Sequence, residues 1–134
     1  MPEPHSLFTT VGRGLSAQLV RMNTAASNLA NAGSVASSEA EAYRPLRPVF
    51  QAELDRAGSA ASVRVAGVFR SDAAPVRLHD PTHPLADADG NIWQAPVDET
   101  AEMVEVMEAS RHYGNLVEAL QTAKQLMLET MRTR

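Results

Sequence analysis

Residues 7–33 of the chain read LFTTVGRGLSAQLVRMNTAASNLANAG, a stretch that contains neither proline nor an acidic side chain. Large apolar residues recur in it at intervals of seven, and a row of mostly smaller residues follows three positions later. The two rows are Phe8, Leu15, Met22 and Leu29, and Val11, Gln18, Ala25 and Ala32. Because a seven-residue repeat keeps its members on one side of a helix, the stretch predicts an amphipathic helix over residues 7–32. Ser6 is the predicted N-cap, and Gly33 is the predicted residue just beyond the C-terminus.

The C-terminal segment repeats this pattern from Asp98 onward. Its first row is Val106, Tyr113, Leu120 and Met127, and its companion row is Met103, Ser110, Val117, Lys124 and Met131. Pro96 lies just before the segment, Asp98 is a residue type that caps helices, and acidic side chains cluster in the first turns. We therefore predict a second, longer helix over residues 98–134.

The charges on the two segments are complementary. Residues 4–38 carry Arg13 and Arg21 and no acidic residue, whereas residues 98–108 carry five acidic residues and no basic one. If the helices are antiparallel, the acidic start of the second faces the C-terminal part of the first, so Arg21 is the expected partner. Exposed ion pairs contribute only about 0.2–1 kcal/mol each, and they set register more than stability. We predict that the two helices pair as an antiparallel coiled coil.

The middle of the chain has a different pattern. Six of the eight prolines lie within residues 43–97, and short apolar alternations replace the seven-residue rows. Residues 63–69 predict a strand with a bulge at Gly67, and residues 49–50 and 75–78 predict weaker strands. The predicted fold is mainly α with a small β-rich insert. Residues 1–33 and 98–134 would form the helical domain and residues 34–97 the insert, in one structural unit.

Composition excludes several classes of protein. The 134 residues have a net charge of −4 and no cysteine, and their one lysine is Lys124. A general nucleic-acid binder needs clustered basic residues, so nucleic acid is not an expected partner. No window approaches the roughly 20 apolar residues of a membrane span, and the first residues lack the pattern of a cleaved signal peptide. Aromatic residues make up 4% of the chain, which favours a small core completed by partners over an enzyme with an enclosed pocket.

One loop holds residue types that bind metals. The candidates are His79, Asp80, His83 and Asp87. Pro81 and Pro84 break any helix that would place both histidines on one face, so ordinary loop hydrogen bonds are the better interpretation. Residues 87–90 (DADG) lack the glycine and glutamate spacing of an EF-hand, and the chain has no nucleophile elbow or phosphate-binding loop. We predict no catalytic residue, no cofactor and no metal.

The first helix also carries a recognisable motif. Leu15-Ser16-Ala17-Gln18, Arg21, Ala26 and Asn28-Leu29-Ala30-Asn31-Ala32 resemble the N-terminal motif of the axial proteins of the bacterial flagellum. The rest resembles the FlgC-type proximal-rod proteins within the flagellar basal-body rod family. The residues that carry this second resemblance are Tyr43-Arg44, residues 49–51 (VFQ), residues 80–84 (DPTHP), Ala86-Asp87, Gly90, residues 102–104 (EMV), residues 109–111 (ASR), Tyr113, Lys124, Met127 and Thr130. Leu116 departs from the pattern, since such proteins usually carry asparagine there, and residues 96–98 (PVD) replace the usual Pro-Asn-Val turn.

The resemblance implies a structural subunit of the proximal rod, not an enzyme. Such a subunit is exported by the flagellar type III machinery without a cleaved signal and polymerises on the inner-membrane ring and its rod adapter. With copies of itself and other rod proteins it would form the hollow, periplasm-spanning shaft that transmits torque and serves as the export channel, as motility requires. The predicted assembly interface is Phe8, Val11, Leu15, Gln18, Met22, Asn28, Leu29, Asn31, Met103, Val106, Tyr113, Val117, Leu120 and Met127.

Two other classes of protein remain as alternatives at this point. A soluble helical adapter or export chaperone would use the same amphipathic helices to hold a partner in a small complex of fixed size. A small hydrolase would show turnover that a single polar substitution abolishes. A rod subunit differs from both because it polymerises with related chains.

Overall fold

A computed structural model describes residues 4–54 and 61–133 of the chain. The helices are α1 (Pro4–Ala30) and α2 (Glu99–Arg132). Between them lie β1 (Val35–Ala36), β2 (Leu46–Leu54), β3 (Ala61–Arg70), β4 (Val76–His79) and β5 (Asn91–Gln94). The prediction of two long helices with a small β-rich insert is confirmed.

Helix α1 has 27 residues and begins earlier than predicted. Pro4 is its first residue, a position that suits proline because the first amide of a helix has no intrahelical acceptor. The prediction of Ser6 as N-cap is therefore wrong. At the other end the Asn31 side chain donates to the Ser27 carbonyl at 2.8 Å, and Ser34 Oγ donates to the Asn31 carbonyl at 2.7 Å. Gly33 does not take the left-handed conformation of a C′ glycine, so side chains cover this helix end instead.

Helix α2 has 34 residues and begins as predicted. The backbone of Asp98 is extended, and its carboxylate accepts a hydrogen bond from the Ala101 amide at 3.1 Å. Acidic residues occupy the first turn, where the positive end of the helix dipole stabilises them. Asp98 is thus the N-cap that the sequence predicted.

The strands form two separate antiparallel sheets. One has the order β1-β5-β4, and the other is the long β2–β3 hairpin. In the hairpin Val49 pairs with Gly67 and Phe50 pairs with Val65, so Ala66 is the extra residue of a bulge. The sequence predicts the bulge at Gly67, one residue from the observed bulge at Ala66. The sequence did not predict β1 or β5.

The turn between β4 and β5 is held by short polar side chains. Asp80 Oδ1 accepts from both the amide and the hydroxyl of Thr82, and Asp87 Oδ1 accepts from the Asn91 amide at 2.8 Å. Gly90 has φ +76°, and a Cβ there would lie 3.0 Å from Pro81 Cγ. Over residues 4–54 and 61–133 no group of three or more His, Asp or Glu residues is arranged to hold a metal ion. In the same residues no helix is long and apolar enough to cross a membrane.

The core of the described chain consists mostly of small side chains. Its buried hydrophobic residues are Val11, Ala17, Ala25, Ala32, Ala42, Ile92, Ala95 and Ala109. Polar residues are buried beside them, namely Thr24, Asn28 and Glu102. Because alanine burial removes little apolar surface from water, polar contacts must define much of this interior.

Helix α1 packs against α2, β3 and β2. Every second turn of α1 meets α2. Arg21 and Asn28 bond to Glu105 and Glu102, and a Cβ added at Gly14 would lie 3.1 Å from Leu116 Cδ1. One row of α2 that is buried or half-buried is Glu102, Ala109, Leu116 and Ala123. In the predicted first row Val106, Tyr113 and Leu120 are also half-buried, and Met127 is exposed. The predicted companion row therefore lies one residue away from the packed one. In it, Met103, Ser110, Lys124 and Met131 are exposed, and Val117 is half-buried.

Candidate functional site: a polar junction and an exposed apolar surface

Asn28 joins three elements of the fold. Its side chain is 0% exposed, and its Nδ2 donates to the Leu46 carbonyl at 2.9 Å and to Glu102 Oε1 at 3.2 Å. Its Oδ1 accepts from the Leu46 amide at 2.7 Å and from the Tyr43 hydroxyl at 2.9 Å. Two donated and two accepted hydrogen bonds use the full capacity of an amide side chain. Asn28 thus fixes α1 to the start of β2 and to the first turns of α2.

Glu102 is the buried acidic residue of this junction, with 2% of its surface exposed. Its Oε1 accepts from Arg47 Nη1 at 2.6 Å as well as from Asn28. The Arg47 side chain is 53% exposed and lies at the outer edge of the junction. Glu102 Oε2 is buried and has no hydrogen-bond partner among the described residues. One half of the carboxylate is therefore satisfied and the other half is not.

Arg21 forms a second polar link between the helices. Its Nε donates to Glu105 Oε1 at 2.6 Å, and its Nη1 donates to Gln18 Oε1 at 3.0 Å. Glu108 Oε2 lies 3.9 Å from Nη2. The hydrogen bond with Arg21 lowers the pKa of Glu105, and the same bond raises the pKa of Arg21. The expected pairing of Arg21 with the acidic start of the second helix is confirmed.

A cleft of about 370 Å³ opens where α1, β2 and the start of α2 meet. Its walls are apolar at Pro48, Phe50 and Ala101, and charged at Arg47, Glu102 and Glu105. The cleft therefore places the incompletely bonded carboxylate of Glu102 beside an apolar wall.

A second set of polar contacts links α1 to the hairpin. Arg13 Nη1 donates to Ser62 Oγ at 2.6 Å and lies 3.5 Å from Glu53 Oε2, which is also 3.3 Å from Arg64 Nε. These groups are exposed, so their net stabilisation is small. They fix the hairpin alongside α1 and do not form an enclosed site.

The structure distributes the residues of the predicted interface over three environments. Val11 and Asn28 are buried inside the chain, and Asn31 holds the end of α1. The half-buried members are Phe8, Leu15, Gln18, Met22, Leu29, Asn31, Val106, Tyr113, Val117 and Leu120. Met103 and Met127 are exposed. Asn28 is inaccessible to another chain, so any effect that it has on assembly is indirect.

Sequence reasoning did not identify a surface of exposed apolar side chains on α2. Its members outside the predicted interface are Val104, Met107, Leu126, Leu128 and Met131. Met107 is 69% exposed and Met131 is 70% exposed. We call these five residues, together with Met103 and Met127, the α2 apolar surface; its members lie in two groups along the helix, within residues 103–107 and 126–131. The sequence does contain a sign of this surface. Apolar residues of α2 also lie outside the two heptad rows, so they cover more of the helix circumference than one helix–helix contact would bury.

Comparison with known proteins identifies the family. The flagellar basal-body rod protein FlgC of Salmonella typhimurium is 41% identical over 126 residues, which is 94% of each chain. The chain belongs to the FlgC-type flagellar basal-body rod proteins. FlgC of Yersinia enterocolitica is 44% identical over 127 residues, and that of Escherichia coli is 42% identical over 126 residues, again with 94% of each chain covered. This confirms the family resemblance that the motifs indicated.

The family model described as "Flagella basal body rod protein" matches residues 8–33, within and just beyond α1. The match includes Asn28, so the segment that carries the family pattern is also the one that makes the polar junction. The rod proteins are structural proteins of the flagellum, which serves motility, and not enzymes. The interpretation as a small hydrolase is therefore excluded.

Proposed function

We propose that this chain is a subunit of the proximal rod, and that it polymerises with copies of itself and other rod proteins into the hollow drive shaft of the flagellum. The α2 apolar surface is the observation that carries the proposal. A chain of this size seldom leaves so many large apolar side chains in water unless another protein covers them. Near full-length similarity to FlgC supports the rod as the assembly that does so.

The two helices pair as an antiparallel coiled coil in this proposal. Contacts that advance along α1 from Gly14 to Asn28 move back along α2 from Leu116 to Glu102, which supports that direction. Residues 1–33 and 98–134 then form the helical domain, and residues 34–97 form the insert, within one structural unit. Asn28 and the insert hold the helices in register for assembly.

The assembly interface combines the exposed and the half-buried members of the predicted set. Met103 and Met127 belong to the α2 apolar surface, and half-buried residues such as Leu15 and Leu120 leave part of their surface for a neighbour. Buried Asn28 and Val11 contribute by shaping the helix that presents these side chains. Torque passes through this packing, and the same assembly encloses the export channel.

The partners of such a subunit are the other rod proteins, the inner-membrane ring with its rod adapter, and the flagellar type III export machinery. In this proposal the chain is located in the periplasm-spanning rod of the basal body. A head-to-tail contact that does not close on itself produces a helical shaft and not a ring, which suits this location.

The test is complementation in a flagellated bacterium from which its own FlgC has been deleted. We expect the chain to restore swimming and to appear at the rod of purified basal bodies by electron microscopy with antibody labelling. A chain that remains in a small complex of fixed size outside the basal body would contradict the proposal, because that is the behaviour of an adapter or export chaperone.

A further inference from the structure

Methionines are concentrated on α2, where they are exposed. Residues 4–54 and 61–133 include five methionines, and four of these lie on α2. All four are exposed, whereas the fifth, Met22 of α1, is half-buried. Because the sequence contains no cysteine, thioethers are its only sulfur groups. The sulfur that a dissolved reagent can reach in the described chain is therefore gathered on the α2 apolar surface.

The four methionines of α2 form two pairs with the same spacing. Met103 and Met107 lie four residues apart, and so do Met127 and Met131. Residues at this spacing are neighbours on a helix, with Cβ atoms roughly 5–6 Å apart, so each pair places two thioethers side by side. The pairs are about 36 Å apart along the helix, and they belong to the two different groups of the α2 apolar surface. Within each pair the more exposed residue is the second one, Met107 or Met131.

A two-electron oxidant such as hydrogen peroxide converts an exposed thioether into a sulfoxide. The sulfur lone pair attacks one peroxide oxygen, the O–O bond breaks as the S–O bond forms, and the hydroxide that leaves takes the remaining proton to give water. Sulfur is oxidised by two electrons and the peroxide is reduced by two. The product is a polar side chain with a hydrogen-bond acceptor, which is stable in water but unfavourable where it is buried against apolar side chains.

We propose that the two methionine pairs are oxidation sites that control assembly. Sulfoxide formation at Met107 and Met131 of the free subunit blocks its incorporation into the rod, and incorporation protects the same sulfur atoms. The inference rests on the proposed function, because neighbouring subunits supply the apolar surface that covers these side chains. Oxidation leaves the fold of the subunit intact, since both side chains are exposed in the monomer and add little to its interior.

The first test maps the reactivity of each thioether. Purified monomer and purified basal bodies receive the same dose of hydrogen peroxide, and peptide mass spectrometry measures the sulfoxide at each methionine. In the monomer Met107 and Met131 should react several-fold faster than the half-buried Met22. In basal bodies both should react several-fold more slowly than in the monomer. Equal reactivity of Met107 and Met131 in the two preparations would overturn the proposal.

The second test imitates the sulfoxide without an oxidant. Glutamine has a similar length to methionine sulfoxide and is also neutral and polar, whereas leucine stays apolar and does not react with peroxide. In the strain that lacks FlgC, the double variant Met107→Gln/Met131→Gln should not swim, and Met107→Leu/Met131→Leu should swim like the wild type. Thermal unfolding followed by circular dichroism should give both variants the melting temperature of the wild type. Normal swimming of the glutamine variant would contradict the assigned control of assembly.

The third test applies the oxidant during assembly. Synthesis of the chain is induced in the strain that lacks FlgC, with and without a sublethal dose of hydrogen peroxide, and the fraction of flagellated cells is counted. Peroxide should lower this fraction several-fold more for the wild-type chain than for Met107→Leu/Met131→Leu, because the other proteins of the cell receive the same dose in both strains. An equal decrease would mean that these two residues are not the site of control.

The two levels of inference fail in distinguishable ways. A wild-type chain that neither restores swimming nor enters the basal body overturns the proposed function and the control of assembly together. A wild-type chain that enters the basal body and leaves Met107 and Met131 as reactive there as in the monomer overturns only the oxidation sites.

Discussion

At the scale of single residues, Asn28 stabilises the fold more than its size suggests. Most buried hydrophobic side chains of the described residues are alanines, which bury little apolar area each. The amide instead forms four hydrogen bonds that connect α1 with Tyr43, Leu46 and Glu102. In a small protein with few large buried side chains, one fully bonded polar residue can determine which segments meet.

Asn28→Ala should lower the free energy of unfolding by about 3 kcal/mol, because it leaves buried donors and acceptors without partners. Asn28→Asp should be at least as harmful, since an oxygen would replace the amide donor that faces Glu102 Oε1. Urea unfolding followed by circular dichroism measures the change. Asn23→Ala, at an exposed position of the same helix, is the matched control and should stay within about 0.5 kcal/mol of the wild type. Equal effects at the two positions would contradict the role assigned to Asn28.

Two glycines should respond in opposite directions to alanine. Gly12 lies inside α1, and a Cβ added there would meet no other side chain within 4 Å, so Gly12→Ala should stabilise the protein by about 0.5–1 kcal/mol. Gly90 has φ +76° and little space beside Pro81, so Gly90→Ala should destabilise it by about 1–2 kcal/mol or more. Thermal unfolding of the two variants under one condition checks both signs. A stabilising Gly90→Ala would show that the turn tolerates another backbone conformation.

At the scale of elements, the sequence is most informative where a repeat is long. The seven-residue rows predict both helices, and the residue type of Asp98 predicts its cap. The rows place Met103 and Ser110 on the packed face of α2, whereas the buried residues are Glu102 and Ala109. A pattern of apolar residues cannot predict that the packed face includes a glutamate. Its burial depends on Asn28 and Arg47, which are distant in sequence. Strands β1 and β5 were missed for a similar reason, since two or four residues give too short a pattern and their pairing is long-range.

The link between α1 and α2 should weaken in acid. Arg21 lowers the pKa of Glu105 below its ordinary value of 4.5, so the pair stabilises the fold fully above that value. The stabilisation is lost as pH falls through the lowered pKa of the folded state. Glu105→Gln should therefore cost about 1 kcal/mol at pH 7 and almost nothing once the pH lies below the folded-state pKa.

Urea unfolding at pH 7 and at the most acidic pH at which the wild type still folds would measure this difference for Glu105→Gln. Glu118→Gln is the control, because Glu118 is an exposed residue of the same helix. Its effect should be small at both pH values. A cost for Glu105→Gln that stays constant across this range would mean that the ion pair with Arg21 does not supply the stabilisation.

At the scale of the whole molecule, interior and surface have different compositions. Much of the buried apolar set is alanine, whereas methionine, leucine and valine lie exposed on α2. A protein that functions as a monomer would bury more of those larger side chains in its core. The distribution is what a subunit needs if its neighbours supply the rest of its hydrophobic contacts, and it connects the small core with assembly.

Met107→Asp separates folding of the subunit from its assembly. Met107 is 69% exposed, so the substitution should change the free energy of unfolding of the monomer by no more than about 0.5 kcal/mol. In the rod the same aspartate would be buried against apolar side chains without a partner, which is strongly unfavourable. We expect loss of swimming in the strain that lacks FlgC, and absence of the variant from purified basal bodies. Gln121→Asp places the same charge at an exposed polar position of α2 and should assemble normally. Normal swimming of Met107→Asp would show that this part of the α2 apolar surface stays in water in the finished rod.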